Sequence, residues 1–387
     1  MSGGRDGWTR GWVLRHHAGR MLTSLHVTGF RDLADLKVER LSRVNLFVGT
    51  NNSGKTSLLE AAEILLGEGS LRSILAGPLR WGESVTSEAN RNNREVEVRH
   101  LFRGHPLVAG ARLKIRGNNS EPQTVEIALE ANDGSRFGFE SEDPEDDGLP
   151  QAGAGLLMSS TLSRAAGDNV FEIPLSPAGR VLISDPDVRA RFAVEPENVF
   201  NFVTTSGFTA RQIGQIWDDV VLTSEETTVL EVLRIIEPEI ERIAFVGREA
   251  ATTCLIKLRG RDERIPLGSM GEGIRRVLAL AAGLARSRGP ARTRCLLIDE
   301  IDTGLHHSVM AHVWRVVVDL AHRLDLQVFA TTHSLDCLHA LAELYEGDAS
   351  VREDVLLHRI EKGATRTTVY TADELPVIRE HRMEVRG

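Results

Sequence analysis

The residues most able to do chemistry lie in a short glycine-bearing loop near the start of the chain. An apolar run, Val44 to Val48, leads into the loop, and an amphipathic helical pattern follows it to Leu66. Its glycines allow a tight turn with inward-pointing backbone N–H groups, and the helix start adds its positive dipole end. This G-x-x-x-x-G-K-[ST] loop predicts a site for the phosphates of a nucleoside triphosphate. The predicted binding residues are Gly49, Asn51, Asn52, Ser53, Gly54, Lys55, Thr56 and Ser57.

Two side chains of this loop have distinct predicted roles. Lys55 brings a mobile positive charge to the β- and γ-phosphates, so we also predict it as a catalytic residue. The hydroxyl of Thr56 is placed to bind Mg²⁺. The competing interpretation is a glycine turn that ends in Gly-Lys-Thr by chance, and the flanking strand and helix patterns argue against it.

A second set of chemical residues follows an apolar pattern far downstream. Cys295 to Ile298 is a continuous apolar run that ends in Asp299 and Glu300. Such runs are typical of buried parallel strands, and ligands bind beyond the carboxyl ends of those strands. We therefore predict Asp299 as a Mg²⁺ ligand, and Glu300 as the residue that orients or deprotonates the attacking water. The alternative is that the two carboxylates cap the next helix.

Two further segments carry weaker signals. The apolar run from Gln327 to Thr332 ends at His333, whose ring nitrogen could sense the γ-phosphate. A strand-end histidine is more often structural, but its place after the Asp-Glu strand and one connecting helix favours a catalytic role. Ser269-Met-Gly271-Glu272-Gly273 opens a helical pattern and offers a serine and exposed N–H groups as a second anion site. By itself this segment is a weak signal, because serine and glycine begin many helices.

The elements that must position these residues follow from the hydrophobic periodicity. The alternation from Leu22 to Val27 predicts a strand entering a turn, and Ala34 to Val38 predicts a second strand. Short alternating runs between about 95 and 183 predict an antiparallel sheet inserted after the phosphate loop. Inside that insertion, Ser141 to Ser163 is acidic and then rich in small residues, which predicts a mobile loop.

A helical period from Thr209 to Ile243, broken at Pro238, predicts a helical arm. The strand pattern from Thr253 to Leu258 then returns the chain to the nucleotide-binding core. The predicted organisation has four parts: a disordered extension at 1–20, an N-terminal lobe with the phosphate loop and inserted sheet at 21–205, the helical arm at 206–245, and a C-terminal lobe with the helix-start segment, Asp-Glu strand and histidine at 246–387.

Composition limits the classes of function. The 387 residues suffice for one large or two modest domains, and the 41% hydrophobic and 26% charged contents are those of a soluble globular protein. The net charge of −9 argues against a surface that binds polyanions throughout, although a local basic groove is compatible with it. No apolar window approaches bilayer length, no secretory signal is evident, and the three cysteines are few and widely spaced. We therefore expect a cytoplasmic protein with no membrane partner.

Together these motifs resemble the ABC-type ATPase heads of the SMC, RecF and OLD group. Within that group they are most similar to the OLD (overcoming lysogenization defect) family. The residues that carry the similarity are Gly29-Phe30-Arg31-Asp32, Asn45 to Thr56, and Thr332-His333-Ser334. The resemblance covers roughly 21–70 and 250–370. It implies an α/β fold: an ABC-type P-loop ATPase head with an inserted antiparallel β-sheet and a helical arm subdomain.

The resemblance also implies an assembly. In that group the phosphate loop, Asp-Glu strand and switch histidine of one head face the Ser-x-Gly helix of another, and two ATP molecules lie between them. By this resemblance the helix start from Ser269 to Gly273 contacts the partner's nucleotide, Asp302 lies in the short loop after the carboxylates, and Arg31 lies near the nucleotide. ATP and Mg²⁺ are the implied bound groups, and the implied state is a homo-oligomer, either a dimer or a larger even-numbered assembly.

Many OLD proteins carry a C-terminal TOPRIM nuclease domain, but no apolar strand ending in Asp-x-Asp follows His333. The resemblance therefore implies a stand-alone, Mg-dependent ATPase that acts as a switch or sensor for a separate effector in antiviral defence. That effector would be a TOPRIM-type nuclease or a toxin. The alternatives are a RecF-like repair ATPase acting on DNA, a scaffold that uses ATP only to dimerise, and a transporter subunit. Nucleic acid is thus a candidate partner, with Arg91, Arg94, Arg99 and Arg103 as a candidate groove, although such clusters are more often a solvated sheet face.

Overall fold

The structure is a computed structural model that describes residues 21–86, 94–119, 121–132, 155–194, 198–247, 253–285, 294–347, 354–371 and 374. The predicted extension at 1–20, the acidic part of the predicted loop at 141–154, and Arg91 lie outside these residues. None of the helices in the described ranges is both long and apolar enough to cross a membrane.

The strands in chain order are β1 (Ser24–Phe30), β2 (Leu33–Val38), β3 (Val44–Val48), β4 (Ser84–Thr86), β5 (Arg94–Glu97), β6 (Arg112–Asn118), β7 (Pro122–Ala131), β8 (Leu156–Arg164), β9 (Gly167–Pro174), β10 (Arg180–Leu182), β11 (Val199–Val203), β12 (Ile240–Val246), β13 (Thr253–Leu258), β14 (Arg264–Pro266), β15 (Arg294–Ile298), β16 (Gln327–Thr332), β17 (Val355–Arg359) and β18 (Thr368–Tyr370). The helices are α1 (Lys55–Leu66), α2 (Leu71–Arg80), α3 (Pro186–Phe192), α4 (Ala210–Val220), α5 (Ser224–Leu233), α6 (Glu272–Ala285), α7 (His307–Arg323) and α8 (Leu335–Gly347).

A central sheet with the order β11-β15-β16-β3-β17-β18 positions the predicted site. Its first five strands are parallel, so their carboxyl ends meet at one edge, and only β18 runs antiparallel. Every residue of β3 and β16 is buried, as expected for strands covered on both faces. Because β16 lies between β3 and β15, the phosphate loop after β3 and the carboxylates after β15 flank the end of β16.

The two faces of the central sheet pack into separate hydrophobic cores. On β3, Val44, Leu46 and Val48 face the core shared with α6, α7 and α8. Phe47 faces the other core, which contains the buried residues of α1 and of the antiparallel sheet. This alternation follows from the two-residue period of a strand. Helix α1, which starts at the phosphate loop, is therefore packed between the central sheet and the antiparallel sheet.

The antiparallel sheet has the order β2-β1-β6-β7-β8-β9. Its strands β6 to β9 confirm an antiparallel sheet after the phosphate loop, but β1 and β2 precede the loop and belong to the same sheet. The prediction of a mobile loop up to Ser163 was wrong for its last part, because Leu156–Arg164 forms β8 and pairs with both β7 and β9. Serine and threonine at Ser159, Ser160 and Thr161 obscured the strand pattern. A smaller three-stranded sheet has the order β10-β5-β4, and Arg94 is the first residue of β5.

The predicted helical segment contains α4 and α5, which pack against α6 through buried residues such as Trp217 and Leu233. The helical prediction was wrong at its end, because Ile240–Val246 is a strand that pairs antiparallel with β13. Pro238 separates the helical and extended parts. Helix α4 begins with a capping box in which Thr209 and Gln212 bond to each other's backbone N–H groups. The chain then passes through β14 and a 3₁₀ turn, Leu267–Ser269, into α6.

Candidate functional site

The side chain of Lys55 is hydrogen-bonded to the backbone of the phosphate loop in this structure. The Nζ atom of Lys55 donates hydrogen bonds of 2.8 Å to the carbonyl oxygens of Gly49 and Thr50. Gly54 is the N-cap of α1 with a φ of 96°, and a Cβ there would lie 2.5 Å from the Cδ2 of Leu33. Asn52 also has a left-handed φ of 60°. Glycine at 54 is thus favoured by its left-handed conformation, and any larger residue would also displace the side chain of Leu33.

Asp299 is buried at the end of β15 and is held by two hydroxyl groups. The Thr56 hydroxyl donates to its Oδ1 and Oδ2 at 3.0 and 3.2 Å, and the Thr331 hydroxyl donates to Oδ1 at 2.8 Å. The predicted pair of Thr56 and Asp299 therefore meets across β16. Thr331 was not predicted, and it reaches Asp299 because Ile298 pairs with Ala330 in the parallel ladder.

Glu300 projects from the same strand end in a strained backbone conformation. Its φ is +49°, a left-handed value that non-glycine residues adopt at a cost, and its N–H donates 2.8 Å to the hydroxyl of Thr331. Its carboxylate lies 2.7 Å from Nδ1 of His333, with the two side chains 22% and 48% exposed. The structure therefore brings Glu300 and His333 into contact at the solvent-facing edge of the site.

The loop that follows the carboxylates is tied to the next strand. Asp302 accepts a hydrogen bond of 2.5 Å from the hydroxyl of Thr332. Gly304 has a φ of +74°, and a Cβ there would lie 2.6 Å from the Cγ of Glu272. This loop therefore packs closely against the start of α6 in the same chain.

The predicted second anion site at the start of α6 faces outward. Ser269, Gly271 and Glu272 are exposed, and Gly271 has a φ of +91°. Among the described residues, no hydrogen bond or ion pair joins the segment from Ser269 to Gly273 to the phosphate loop of its own chain. The carboxylate of Glu272 pairs instead with Arg275, at 3.3 Å. This helix start is consequently open to a second molecule.

The side chain of Arg31 is engaged by carboxylates rather than by the loop. Its Nε lies 2.6 Å from Glu60 of α1, and its Nη1 lies 3.2 Å from Glu83. Its backbone lies in the β1–β2 turn, and Leu33, the first residue of β2, approaches Gly54. The structure thus places Arg31 beside α1, with its guanidinium occupied.

Arg276 is a second residue that the sequence did not reveal. It lies on α6, is 3% exposed, and its Nη2 donates hydrogen bonds of 2.6 Å to the carbonyl oxygens of Asp299 and Glu300. Its Nη1 donates to the carbonyl oxygen of Thr204. The only signal in the sequence was an arginine among apolar residues near the start of the helical pattern, and adjacent Arg275 carries the same signal although it is exposed.

Burial lowers the pKa values of two cations in the site. It lowers the pKa of Lys55, and the nearby carboxylates of Glu300 and Asp299 partly oppose this effect. Burial also lowers the pKa of Arg276 to about 10, against the influence of Asp299, Asp302, Glu300 and Glu272. Arg276 therefore remains protonated at neutral pH, and both cations lie close to acidic groups.

The residues present fit a nucleoside triphosphate and a divalent cation. A Cβ at Gly49 would collide with the carbonyl oxygen of Ile360 and with the hydroxyl of Ser53, so no larger residue fits on that side of the loop. The hydroxyl of Ser53 is buried in the loop with no hydrogen-bond partner among the described residues. The hydroxyl of Thr56 and the carboxylate of Asp299 are hard oxygen donors of the kind that Mg²⁺ prefers.

Comparison with known families decides the membership of the chain. Residues 44–336, more than half of its length, match the AAA_21 family model, described as "AAA domain, putative AbiEii toxin, Type IV TA system". The chain belongs to the AAA_21 family. Membership agrees with the parallel sheet, the phosphate loop and the strand-end carboxylates, and it confirms the predicted ABC-type P-loop ATPase head with its antiparallel sheet and helical subdomain. It also supports the predicted ATP binding.

Three curated relatives are similar to this AAA_21 chain. An ATP/GTP phosphatase of Helicobacter pylori is 20% identical over 365 residues, which cover 88% of this chain and 90% of the relative. An uncharacterised protein of Methanocaldococcus jannaschii is 32% identical over 119 residues, 28% of this chain and 53% of that protein. The DNA replication and repair protein RecF of Stutzerimonas stutzeri is 45% identical over 58 residues, 15% of this chain and 16% of RecF.

The chain also resembles a solved SMC head bound to the C-terminal winged-helix domain of ScpA. The sequence identity is 13%, the TM-score is 0.47, and the match covers 92% of this chain and 99% of the SMC head. None of the proteins named above is described as an OLD protein, so the similarity to the OLD family rests on the sequence motifs alone.

Proposed function

We propose that this chain binds ATP with Mg²⁺ and hydrolyses it as a nucleotide-dependent switch. The observation that carries the proposal is the Glu300–His333 contact of 2.7 Å beside the hydrogen bond between Thr56 and the buried Asp299. A carboxylate held by a histidine at the exposed edge of a phosphate site is placed to act on water. The name of the Helicobacter pylori relative, an ATP/GTP phosphatase, agrees with a hydrolytic reaction.

The proposed mechanism assigns one task to each side chain. On nucleotide binding, Lys55 exchanges its two loop carbonyls for phosphate oxygens, and the N–H groups of the loop and of α1 bind the remaining oxygens. Thr56 and Asp299 would hold Mg²⁺, which when bound would neutralise phosphate charge. Glu300 takes a proton from the attacking water, and His333 keeps the carboxylate oriented. Most of the acceleration then comes from positioning and charge stabilisation.

We propose further that the site is completed by a second copy of the chain. The start of α6 exposes Ser269 and Gly271 at the positive end of a helix dipole, which suits the γ-phosphate of a facing protomer, and the carboxylate of Glu272 there pairs with Arg275. Gly273 is partly covered by the loop at Gly304 and lets that loop approach. The resulting head-to-head homodimer, or a larger even-numbered assembly, encloses two nucleotides.

The proposed biological role is to regulate a separate effector in antiviral defence, in the cytoplasm. The description of the AAA_21 family, which names a toxin and a type IV TA system, supports an effector-linked role. The effector would be a TOPRIM-type nuclease or a toxin. The test is purification from the native host with and without ATP. The proposal requires a co-purifying protein whose nuclease or toxic activity changes with ATP, and an ATPase that copurifies with no effector would contradict it.

A RecF-like role on DNA is the second candidate function. The observation that favours it is the local identity of 45% with RecF over 58 residues. Binding of the purified chain to a gapped duplex, measured by fluorescence anisotropy with and without ATP, separates the two candidates. ATP-dependent binding to DNA without any effector would favour the RecF-like role over the effector switch.

A further inference from the structure

The buried guanidinium of Arg276 hydrogen-bonds to the backbone at the edge of the candidate site. Among the described residues it forms no ion pair, although carboxylates lie near enough to affect its charge. Its hydrogen bonds go instead to three backbone carbonyls, those of Thr204, Asp299 and Glu300. Thr204 directly follows β11, and the other two directly follow β15. Arg276 thus joins α6 to the carboxyl ends of two neighbouring parallel strands.

One of these carbonyls belongs to the strained residue of the site. Glu300 has a left-handed backbone, and its peptide groups are held by Thr331 on the N–H side and by Arg276 on the carbonyl side. The direction of the Glu300 side chain depends on that backbone conformation. A residue that fixes the carbonyl therefore helps to aim the carboxylate.

The same helix carries the segment that would cover the partner's nucleotide. Arg276 lies four residues after Glu272, one turn into α6, so it is rigidly connected to the exposed helix start. A second contact joins the same two regions, because Gly304 packs against Glu272. A displacement of the helix start would therefore reach the backbone at Asp299 and Glu300 through Arg276, and the loop at Gly304 through Glu272.

We infer that Arg276 is a positioning residue that couples the two nucleotide sites of the dimer. It connects the helix start that covers the partner's nucleotide to the carboxylate that acts on the chain's own nucleotide. Closure at one site then aligns Glu300 at the other, and the two sites hydrolyse cooperatively. This inference rests on the proposed head-to-head dimer.

The test compares Arg276→Lys and Arg276→Met with Arg275→Lys, a control on the same helix whose side chain is exposed and keeps its positive charge beside Glu272. Three properties are measured for each protein: binding of a fluorescent ATP analogue, ATP-dependent dimerisation by light scattering, and phosphate release over a range of ATP concentrations. Lysine keeps the charge but cannot reach three carbonyls, and methionine keeps the approximate volume. Circular dichroism shows which variants fold, and the lysine variant serves if the methionine variant does not.

The wild-type chain and Arg275→Lys should dimerise with ATP and show a Hill coefficient approaching about 2, the number of sites. The Arg276 variants should bind the analogue normally and still dimerise. Their kcat should fall roughly tenfold, and their Hill coefficient should fall below that of the wild-type chain, to the value that ATP-dependent assembly alone supplies. A folded Arg276 variant with the kcat and Hill coefficient of the wild-type chain would overturn the inference. A wild-type chain that stays monomeric with ATP would instead overturn the proposed dimer, so the two failures are distinguishable.

Discussion

The hydroxyl of Thr331 donates a hydrogen bond of 2.8 Å to the buried carboxylate of Asp299. The same oxygen accepts a hydrogen bond of 2.8 Å from the N–H of Glu300. A single side chain on β16 therefore organises both carboxylates at the end of β15. The proposed metal ligand and the proposed base share one point of support.

Replacement of Thr331 by valine should impair both functions of this hydroxyl. The variant keeps the shape of the side chain but leaves Asp299 and the N–H of Glu300 each without one partner. Loss of hydrogen bonds to a buried charged group costs about 1–3 kcal/mol, so the free energy of unfolding should fall by that order, as urea titration would show. The kcat for phosphate release should fall roughly tenfold because both carboxylates lose their alignment. Thr331→Ser is the matched control and should retain both properties, and equal loss in both variants would contradict the role of the hydroxyl.

Replacement of Glu300 by glutamine should separate binding from hydrolysis. Glutamine preserves the size of the side chain but cannot accept a proton from water, so phosphate release should slow roughly 100-fold or more. Nucleotide binding should persist because Lys55 and the loop are unchanged. The variant should accumulate as an ATP-bound dimer in light-scattering measurements. Unchanged turnover would support the scaffold alternative, in which ATP only stabilises the assembly.

A buried acidic group away from the nucleotide should make stability depend on pH. Burial raises the pKa of Glu63 to about 7, although Arg80 donates hydrogen bonds of 2.7 Å to both carboxylate oxygens and opposes the rise. The same guanidinium of Arg80 lies 3.6 Å from the ring centroid of Phe202. Between the unfolded value of 4.5 and about 7, the folded chain binds the proton more tightly than the unfolded chain does. The contribution of Glu63 to stability is therefore complete below the unfolded value and is lost as the pH rises through the folded value.

The measurement for this prediction is the free energy of unfolding at pH 5 and pH 8, for the wild-type chain and for Glu63→Gln. Glutamine does not titrate, so the decrease between the two pH values should be smaller in the variant, by a few kcal/mol at most, on the order of the shift in pKa. Glu126→Gln, at a partly exposed ion pair on the antiparallel sheet, is a suitable control and should leave the pH dependence unchanged. An identical pH dependence in Glu63→Gln and in the wild-type chain would show that Glu63 is not the responsible group.

The contiguous parts of the site could be predicted from the sequence, and the parts that depend on register or packing could not. The phosphate loop and Asp299-Glu300 are short runs whose chemistry is local, and each directly follows an apolar strand. Thr331 becomes important only because β15 and β16 pair with Ile298 beside Ala330. Likewise, nothing local distinguishes buried Arg276 from exposed Arg275, since only the packing of α6 against β11 and β15 decides which side chain turns inward.

The parts of the fold that were predicted wrongly, or not at all, have comparable causes. The sequence predicts a loop at strand β8 because Ser159, Ser160 and Thr161 stand in a row and interrupt the apolar alternation that indicates a strand. Strand β11 was not predicted, although Val199–Val203 supplies the edge of the central sheet, because a five-residue run carries little periodicity. Ile240–Val246 continued a helical pattern in sequence, and its pairing with β13, which makes it a strand, is a tertiary contact.

The central claim is that a nucleotide bound by one copy is hydrolysed only when the helix start of another copy covers it. The most direct measurement mixes two variants, Ser269→Arg and Lys55→Met, each expected to be inactive alone. In the mixed dimer, the intact loop of the first faces the intact helix start of the second. The mixture should release phosphate well above either parent, up to about one quarter of the wild-type rate per chain, because about half the dimers then have one complete site. A mixture no more active than its parents, or a Ser269→Arg monomer with normal turnover, would contradict the claim.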